Sequence, residues 1–230
     1  MKLKQSIFLS LLSFSVICFS CGGSRRSANS INEGVIEYKA SVINEQHPLA
    51  SFAPSTATVK IKNDKWILEM STMGIFNIYF SCNLENKTLA QMIKYMDIKN
   101  ACVETDSMLI EENNKYKLTF KETNETKMIA GYKCKKVIAT KVSDPSVVFD
   151  VYYTPDIGPE NSNALTPYKE LKGMPLDYRV LRLGLEMHFI ATCVKSEEIK
   201  DTEFDVPSYY KILTRPEFDK EFNRLFADFF

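Results

Sequence analysis

Apolar and polar residues alternate with a period of two from Val35 onward, and the alternation recurs at residues 57–61 and 115–120. Successive side chains of a strand point to opposite faces of the sheet, so this pattern is typical of half-buried antiparallel strands. We predict further strands at residues 65–71, 75–82, 87–96, 101–110, 135–143, 147–154, 176–183 and 186–195. Roughly ten strands predict a mainly β protein with a large antiparallel sheet that curls or closes. Residues 163–172 are a candidate for helix.

Two of the predicted strands are apolar on both faces. Only Asn77 interrupts the apolar run at residues 75–80, and only Asp150 interrupts the run at residues 147–153. Strands of this kind need cover on both sides of the sheet. One face can then line an apolar cavity, for which the candidate ligand-binding residues are Phe76, Ile78, Phe80, Phe149 and Val151. The alternative is that these strands form the centre of a two-layer core.

The C-terminal residues change to helical spacing. Residues 214–217 resemble a capping box with a proline in the first turn. Phe218, Phe222 and Phe226 follow four residues apart, so we predict a helix at about 215–229 with an apolar stripe. The stripe either docks on the sheet as ordinary core, closes a ligand cavity as a lid, or contacts a membrane or a partner.

The N-terminal residues have the features of a bacterial lipoprotein signal peptide. Lys2 and Lys4 precede an apolar run at residues 7–19, and Ser20 places a small residue directly before Cys21. The run is shorter than the about 20 residues that a membrane-spanning helix needs. We therefore predict that Cys21 becomes the acylated first residue of the mature protein.

This N-terminus predicts the domain organisation and the location. Residues 1–20 form the signal peptide, residues 21–32 a lipidated flexible tether, and residues 33–230 a single β-rich domain. Two or more acyl chains on Cys21 give stable membrane anchoring. No acidic run follows Cys21, so we expect a lipid-anchored envelope protein on the outer membrane that faces the periplasm.

Composition excludes some partners and leaves the cysteines open. The 29 basic residues balance the 29 acidic ones, so no basic surplus is present and we do not expect nucleic-acid binding. Four cysteines fall in the predicted domain, and an oxidising compartment permits two disulfides among them. The alternative is that they are small buried hydrophobic residues. They are Cys82, Cys102, Cys134 and Cys193.

Few residues are suited to catalysis. His47 and His188 are the two histidines of the chain. His47 precedes a proline in a predicted loop, and His188 lies in a predicted strand. The sequence contains none of the common hydrolase, metalloprotease, phosphate-binding or dinucleotide-binding motifs. We therefore expect no catalytic residues, no metal site and no cofactor.

Three short segments follow one another in the second half of the chain. Residues 127–136 read KMIAGYKCKK, residues 151–157 read VYYTPDI, and residues 171–176 read LKGMPL. In this order they resemble the GLPGLI family, a group of secreted and lipid-anchored proteins of Gram-negative bacteria. The resemblance covers about residues 115–211. It implies a fold similar to the periplasmic lipoprotein carriers, with a strongly curved antiparallel sheet that is open on one side and plugged by helices.

Two functional hypotheses follow from the sequence. The first is a non-catalytic, lipid-anchored binding protein whose curved sheet holds an apolar ligand, such as an acyl chain, a lipid or a lipoprotein. The second is an envelope scaffold or interaction protein whose sheet is filled by its own side chains. A continuous apolar cavity in the structure favours the first hypothesis over the second.

Overall fold

The computed structural model describes residues 30–182 and 185–227. The predicted signal peptide and the predicted acylation site Cys21 lie outside the described residues.

The described residues form one twelve-stranded sheet that is curved and unclosed, and this confirms the predicted mainly β class with a C-terminal helix. The strands β1 to β12 are, in chain order, Glu33–Val42, Thr56–Lys62, Lys65–Thr72, Phe76–Asn83, Thr88–Tyr95, Ile98–Thr105, Leu118–Ile129, Tyr132–Lys141, Asp144–Thr154, Met174–Arg182, Leu185–Lys195 and Lys211–Ile212. The helices are α1 (Asp106–Lys115) and α2 (Arg215–Ala227).

The sheet consists of two antiparallel meanders joined side by side. The strand order is β12-β6-β5-β4-β3-β2-β1-β11-β10-β9-β8-β7. Strands β1 to β6 form the first half and strands β7 to β11 the second half, and the two halves meet where β1 pairs with β11. The short β12 pairs in parallel with β6, while the other neighbouring strands are antiparallel.

The alternation that predicted the strands separates the two faces of the sheet. In β2, Ala57, Val59 and Ile61 are buried in the main core, whereas Lys60 and Lys62 lie on the opposite face. We call the face with the main core the inner face and the other the outer face. The inner face carries the largest group of buried apolar side chains, drawn from both halves of the sheet.

The prediction of a strand at residues 101–110 is wrong for residues 106–110. The strand β6 ends at residue 105, and α1 replaces the rest. The apolar run Met108, Leu109 and Ile110 suggested a continuing strand, but only Leu109 is buried, while Met108 and Ile110 are 55% and 60% exposed. Leu109 is the single inward position of α1, because the residues one helical turn away on the same face, Asp106, Glu112 and Asn113, are polar.

Two other boundaries also differ from the prediction. Residues 163–172, a candidate for helix, instead form successive hydrogen-bonded turns in the long loop between β9 and β10. The strand predicted at residues 115–120 begins three residues later and continues to Ile129. Tyr116 ends α1 rather than starting a strand.

The segments that resemble the GLPGLI family are turns and strands of the second half. Ala130 and Gly131 form the turn between β7 and β8, both with positive φ of 47° and 86°. Gly173 precedes β10 at a φ of 135°, and a Cβ atom there would lie 2.3 Å from the carbonyl oxygen of Thr154. Gly173 is therefore required by the close approach of two backbones, since any larger residue would clash.

The outer face of the first half is covered by the segment between β11 and β12. We call residues 196–210 the strap. Ile199, Phe204 and Tyr210 of the strap are buried against the outer side chains of β3, β5 and β6. The Ser81 hydroxyl donates a hydrogen bond of 2.6 Å to the Phe204 carbonyl, and Lys60 pairs with Glu203 at 2.8 Å.

The outer face of the second half carries polar groups instead. Lys136 lies 3.2 Å from Glu125 and 3.0 Å from Asp150, so ion pairs cross from β7 to β9. These three groups are on the side of the sheet away from the main core. The first half is thus covered on both faces, while the second half presents charged side chains on its outer face.

Candidate functional site

The inner face of the sheet encloses an apolar cavity of about 210 Å³. Strands β2 to β5 supply one wall and strands β9 to β11 the other, and the loop between β9 and β10 contributes Leu165 and Tyr168. Most of the lining side chains are aliphatic or aromatic. A cavity of this kind suits apolar groups, because few polar side chains line its walls.

Four of the five ligand-binding candidates line this cavity. Phe76, Ile78 and Phe80 project from β4, and Phe149 projects from β9. Val151 does not line it, because Val151 is fully buried in the main core beside the cavity wall. The period-two pattern therefore identified the correct face of both strands, while the binding role itself stays a prediction.

The helix α2 docks on the inner face and forms part of the cavity wall. Phe218 is fully buried and Phe222 is 3% exposed, and both pack on Ile93 and Cys102 of the sheet. Phe222 also lines the cavity, where its ring centroid lies 6.2 Å from that of Phe76. The side chain of Phe226, the third predicted lid residue, is outside the described part of the structure.

The predicted capping box is present at the start of α2. The backbone N–H and the hydroxyl of Thr214 donate hydrogen bonds of 2.9 Å and 2.8 Å to the Glu217 carboxylate. These bonds lower the pKa of Glu217, the backbone bond most strongly. The cap therefore fixes the point at which the chain turns onto the inner face.

A buried ion pair that the sequence pattern did not predict also holds α2. The Arg215 guanidinium donates hydrogen bonds to the carboxylate of Glu104, whose side chain is 4% exposed, and to Gln91 Oε1 at 3.0 Å. Burial lowers the pKa of Arg215, but Glu104 outweighs this effect and the net pKa is raised. A sign in the sequence was Gln91, the single polar residue of the run 89–93, and Glu104, which directly follows the apolar residues 101–103.

The cavity is closed at one end of the sheet. The Trp66 ring N–H donates a hydrogen bond of 2.8 Å to the Ser162 carbonyl, which ties β3 to the loop between β9 and β10. Ser162, Leu165 and Leu89 are buried there. At the opposite end, half-buried lining residues leave an opening, and we call this end the open end: Phe52, Phe76, Tyr116, Lys141, Leu181 and Leu185.

Aromatic rings form the wall between β1, β10 and β11. Tyr178 stacks on Phe189 with ring centroids 5.5 Å apart, and Tyr38 and Tyr168 meet Tyr178 edge-on. The Tyr38 hydroxyl donates a hydrogen bond of 2.9 Å to the Pro175 carbonyl, and burial raises the pKa of Tyr38 and Tyr178. These hydroxyl groups stay neutral and serve to position the rings.

The two histidines do not line the cavity. His188 lies in β11 as predicted, and its Nε2 atom is 2.7 Å from Oδ1 of the buried Asp177. Lys127 Nζ lies 3.5 Å from the other oxygen of Asp177. His47 is the N-cap of a short 3₁₀ helix, where its Nδ1 atom accepts a hydrogen bond from the Leu49 N–H. Both histidines have structural partners.

The four domain cysteines are free thiols, so the structure does not contain the disulfides that the sequence permitted. Cys82 and Cys102 lie on β4 and β6 with β5 between them, and two interstrand spacings amount to about 10 Å, too far for a disulfide. Burial raises the pKa of Cys82 and Cys134 to about 12 and that of Cys102 to about 11. These buried thiols behave as small apolar residues.

Residues 30–182 and 185–227 contain no candidate metal site and no candidate membrane-spanning helix. There, no group of three or more His, Cys, Asp or Glu side chains is arranged to hold a metal ion. Neither α1 nor α2 is long and apolar enough to cross a bilayer.

The fold is similar to that of PNGF-II, with a TM-score of 0.51 and 19% sequence identity. The match covers 83% of this chain and 32% of the PNGF-II chain, so this chain spans about a third of that structure. At this identity the likeness shows the fold alone. A likeness in fold does not support the expectation of a non-catalytic protein, which stays a prediction. No family model and no curated protein matches the chain.

Proposed function

We propose that the protein is a lipid-anchored cell-envelope binding protein that holds an acyl chain or a similar apolar ligand in the cavity of its inner face. The observation that carries this proposal is the apolar cavity of about 210 Å³ on the inner face of the sheet. The outer face offers no such space, because the strap covers it in the first half and charged side chains cover it in the second half. A scaffold protein with a filled core has no need of such a space, because unfilled apolar volume lowers stability.

The size of the cavity favours a narrow ligand. Drug-sized ligands occupy pockets of about 300–1,000 Å³. A cavity of about 210 Å³ is smaller than this and suits one slender chain. The charged lining groups lie toward the open end, where Lys141 and Glu186 are half-buried. A single-chain amphiphile therefore fits with its tail inside and its polar head at the opening.

Acylation at Cys21 completes the proposal. The apolar run before Ser20 and Cys21 supports it, together with the short polar segment that connects Cys21 to β1. The protein would then stay on the outer membrane, facing the periplasm, and hold its ligand close to a lipid surface. Metabolic labelling with a fatty-acid analogue should label the protein, and Cys21→Ala should abolish the label and the stable anchoring, so that repeated washing releases the protein from membranes.

The absence of catalysis is part of this proposal. A histidine beside a carboxylate is the kind of pair that can transfer protons. His188 and Asp177 form such a pair, but they lie on the outer face and do not line the cavity. The ligand would therefore be bound without chemical change. Turnover of a bound ligand in the purified protein would contradict this part.

Filling the cavity tests the binding proposal directly. Met70 is half-buried on β3 and lines the cavity, so Met70→Trp places a larger ring in the space. We expect Met70→Trp to weaken binding of a fluorescent fatty acid at least about tenfold. The melting temperature should not fall, because the larger ring enters space that is already empty. Native mass spectrometry of the unsubstituted protein from its own envelope should show a co-purified lipid.

The matched control is Met128→Trp, because Met128 is 63% exposed on β7 and is outside the cavity. This control should bind the fatty acid as the unsubstituted protein does. Equal binding by the Met70 and Met128 variants would show that the probe binds elsewhere, and it would overturn the proposal.

A further inference from the structure

The turns at the two ends of the sheet differ in chemistry. At the closed end, the turn between β2 and β3 is Asn63-Asp64, and the turn between β4 and β5 contains Glu85, Asn86 and Lys87, all exposed. These are ordinary polar turn residues. At the open end, the corresponding positions carry large apolar side chains that are exposed: Ile43, Met73, Ile75, Met96 and Val142.

The exposure of these side chains is large enough to set them apart. Met73 is 76% exposed and Met96 is 65% exposed, in the turns between β3 and β4 and between β5 and β6. Single exposed apolar residues are common on proteins. Here, however, five of them lie in the connections β1–β2, β3–β4, β5–β6 and β8–β9, all at the open end of the sheet. We call these five residues the rim.

The backbone at two of these turns does not favour the residues that occupy it. Met73 and Met96 have left-handed conformations, with φ of 53° and 50°. Glycine and asparagine adopt this region most readily, as Asn63 does at the closed end with a φ of 51°. Lys87 and Ala130 also adopt it, but neither exposes a large apolar group. Methionine at these two positions therefore neither stabilises the left-handed turn nor removes its apolar side chain from water.

The rim borders the opening of the cavity. Thr72 and Phe76 flank the turn that carries Met73 and Ile75, and both line the cavity. Lys141 lines it directly before Val142. A surface that covered the rim would thus lie over the opening.

We propose that the rim inserts into the surface of a lipid bilayer. Neighbouring strands are about 4.8 Å apart, so turns that alternate with every second strand are separated by about 10 Å. Separate apolar tips of this kind suit a fluid layer, in which each tip can enter independently. Charges of both signs border them, such as Lys94 and Asp97 beside Met96, which suits zwitterionic headgroups rather than a strongly charged protein surface.

The proposal goes beyond ligand binding, because it assigns the surface by which the open end meets a membrane. It rests on the rim and does not require an occupied cavity. A ligand could nevertheless pass from the bilayer into the cavity without crossing water when the rim is inserted.

The test uses the mature chain, residues 21–230, with Cys21→Ala, so that neither the signal peptide nor acylation contributes, and phosphatidylcholine vesicles that are sedimented with the protein. Met73→Asn combined with Met96→Asn should lower the fraction bound about tenfold or more, because two apolar tips are removed. Asparagine suits the left-handed backbone, so the melting temperature should not fall. Sedimentation of this variant with vesicles to the same extent as the parent would overturn the proposal.

The matched control is Met108→Asn combined with Met128→Asn, which removes two methionines that are 55% and 63% exposed on α1 and β7. This control should sediment with vesicles like its parent, and an equal loss would overturn the proposal. Binding of a fluorescent fatty acid without vesicles should be unchanged in both variants. If the parent protein does not bind the fatty acid, the cavity proposal alone is contradicted. If the parent protein does not bind vesicles, the rim proposal alone is contradicted.

Discussion

The two halves of the sheet share one inner core but differ in how their outer faces are completed. The first half has the strap on its outer face and α2 on its inner face, so apolar side chains of β4 to β6 are packed on both sides of the sheet. The second half has ion pairs such as Lys136 with Asp150 on its outer face. The same strand pairing therefore supports two arrangements, and the strap and α2 together decide which half becomes a layered core.

The largest expected effect is at Phe218, which is fully buried between α2 and the first half. Phe218→Ala should lower the free energy of unfolding by about 3–5 kcal/mol, because it leaves a cavity in the core. Urea denaturation followed by Trp66 fluorescence measures this, since Trp66 is the single tryptophan and lies in the first half. The exposed Lys220→Ala is the control. A loss below about 1 kcal/mol would mean that α2 is a mobile lid rather than core.

An intermediate effect is expected from acid, because carboxylates hold the strap and the start of α2. Glu33 accepts a hydrogen bond from the Ile199 N–H, Glu203 accepts one from Lys60, and Glu217 accepts one from Thr214. Chiefly through these bonds, the pKa of each lies below its ordinary value of 4.5. A lowered pKa stabilises the fold above pH 4.5, and that contribution is lost as the pH falls through the folded-state values.

We therefore expect amide exchange of the strap to accelerate between pH 5 and pH 3 more than that of β8 and β9, after correction for intrinsic rates. Glu203→Gln should reduce the pH dependence within the strap, because the substituted group no longer titrates. Equal acceleration across both halves would show that acid unfolds the whole sheet at once. The two halves of the sheet would then not differ in their stability to acid.

The smallest effect is expected on the outer face of the second half. Glu125 and Asp150 have side chains that are 65% and 49% exposed, and each pairs with Lys136. Exposed ion pairs contribute little, because solvent screens them. Glu125→Gln and Asp150→Asn should each leave the urea midpoint within experimental error. A clear fall in either midpoint would mean that the charged outer face of the second half contributes to stability as a packed layer does.

The sequence predicted the elements in which local pattern and tertiary environment agree. Alternation located the inner face of β4 and β9, including Phe76, Ile78, Phe80 and Phe149, because a strand with one buried face must alternate. The capping box located α2, since its hydrogen bonds are local. The curved mainly β fold followed from these elements without reference to any long-range contact.

Features that depend on distant contacts were not predictable in this way. The strap has no period, because an irregular segment packs Ile199 and Phe204 where the surface beneath it allows. The helix α1 buries only Leu109, so it lacks the apolar stripe that identifies a helix. The pair of Arg215 with Glu104 joins residues 111 positions apart, and no local pattern reports that separation.

The parallel pairing of β12 with β6 has a consequence for solubility. Lys211 and Ile212 occupy the edge of the sheet beside Asn100 and Ala101, at the point where the chain passes from the outer to the inner face. An uncovered edge strand offers unpaired N–H and C=O groups that can recruit strands from other molecules. The chain thus shields this edge with β12, and conditions that release β12, such as acid, would expose the edge of β6 to pairing with strands of other molecules.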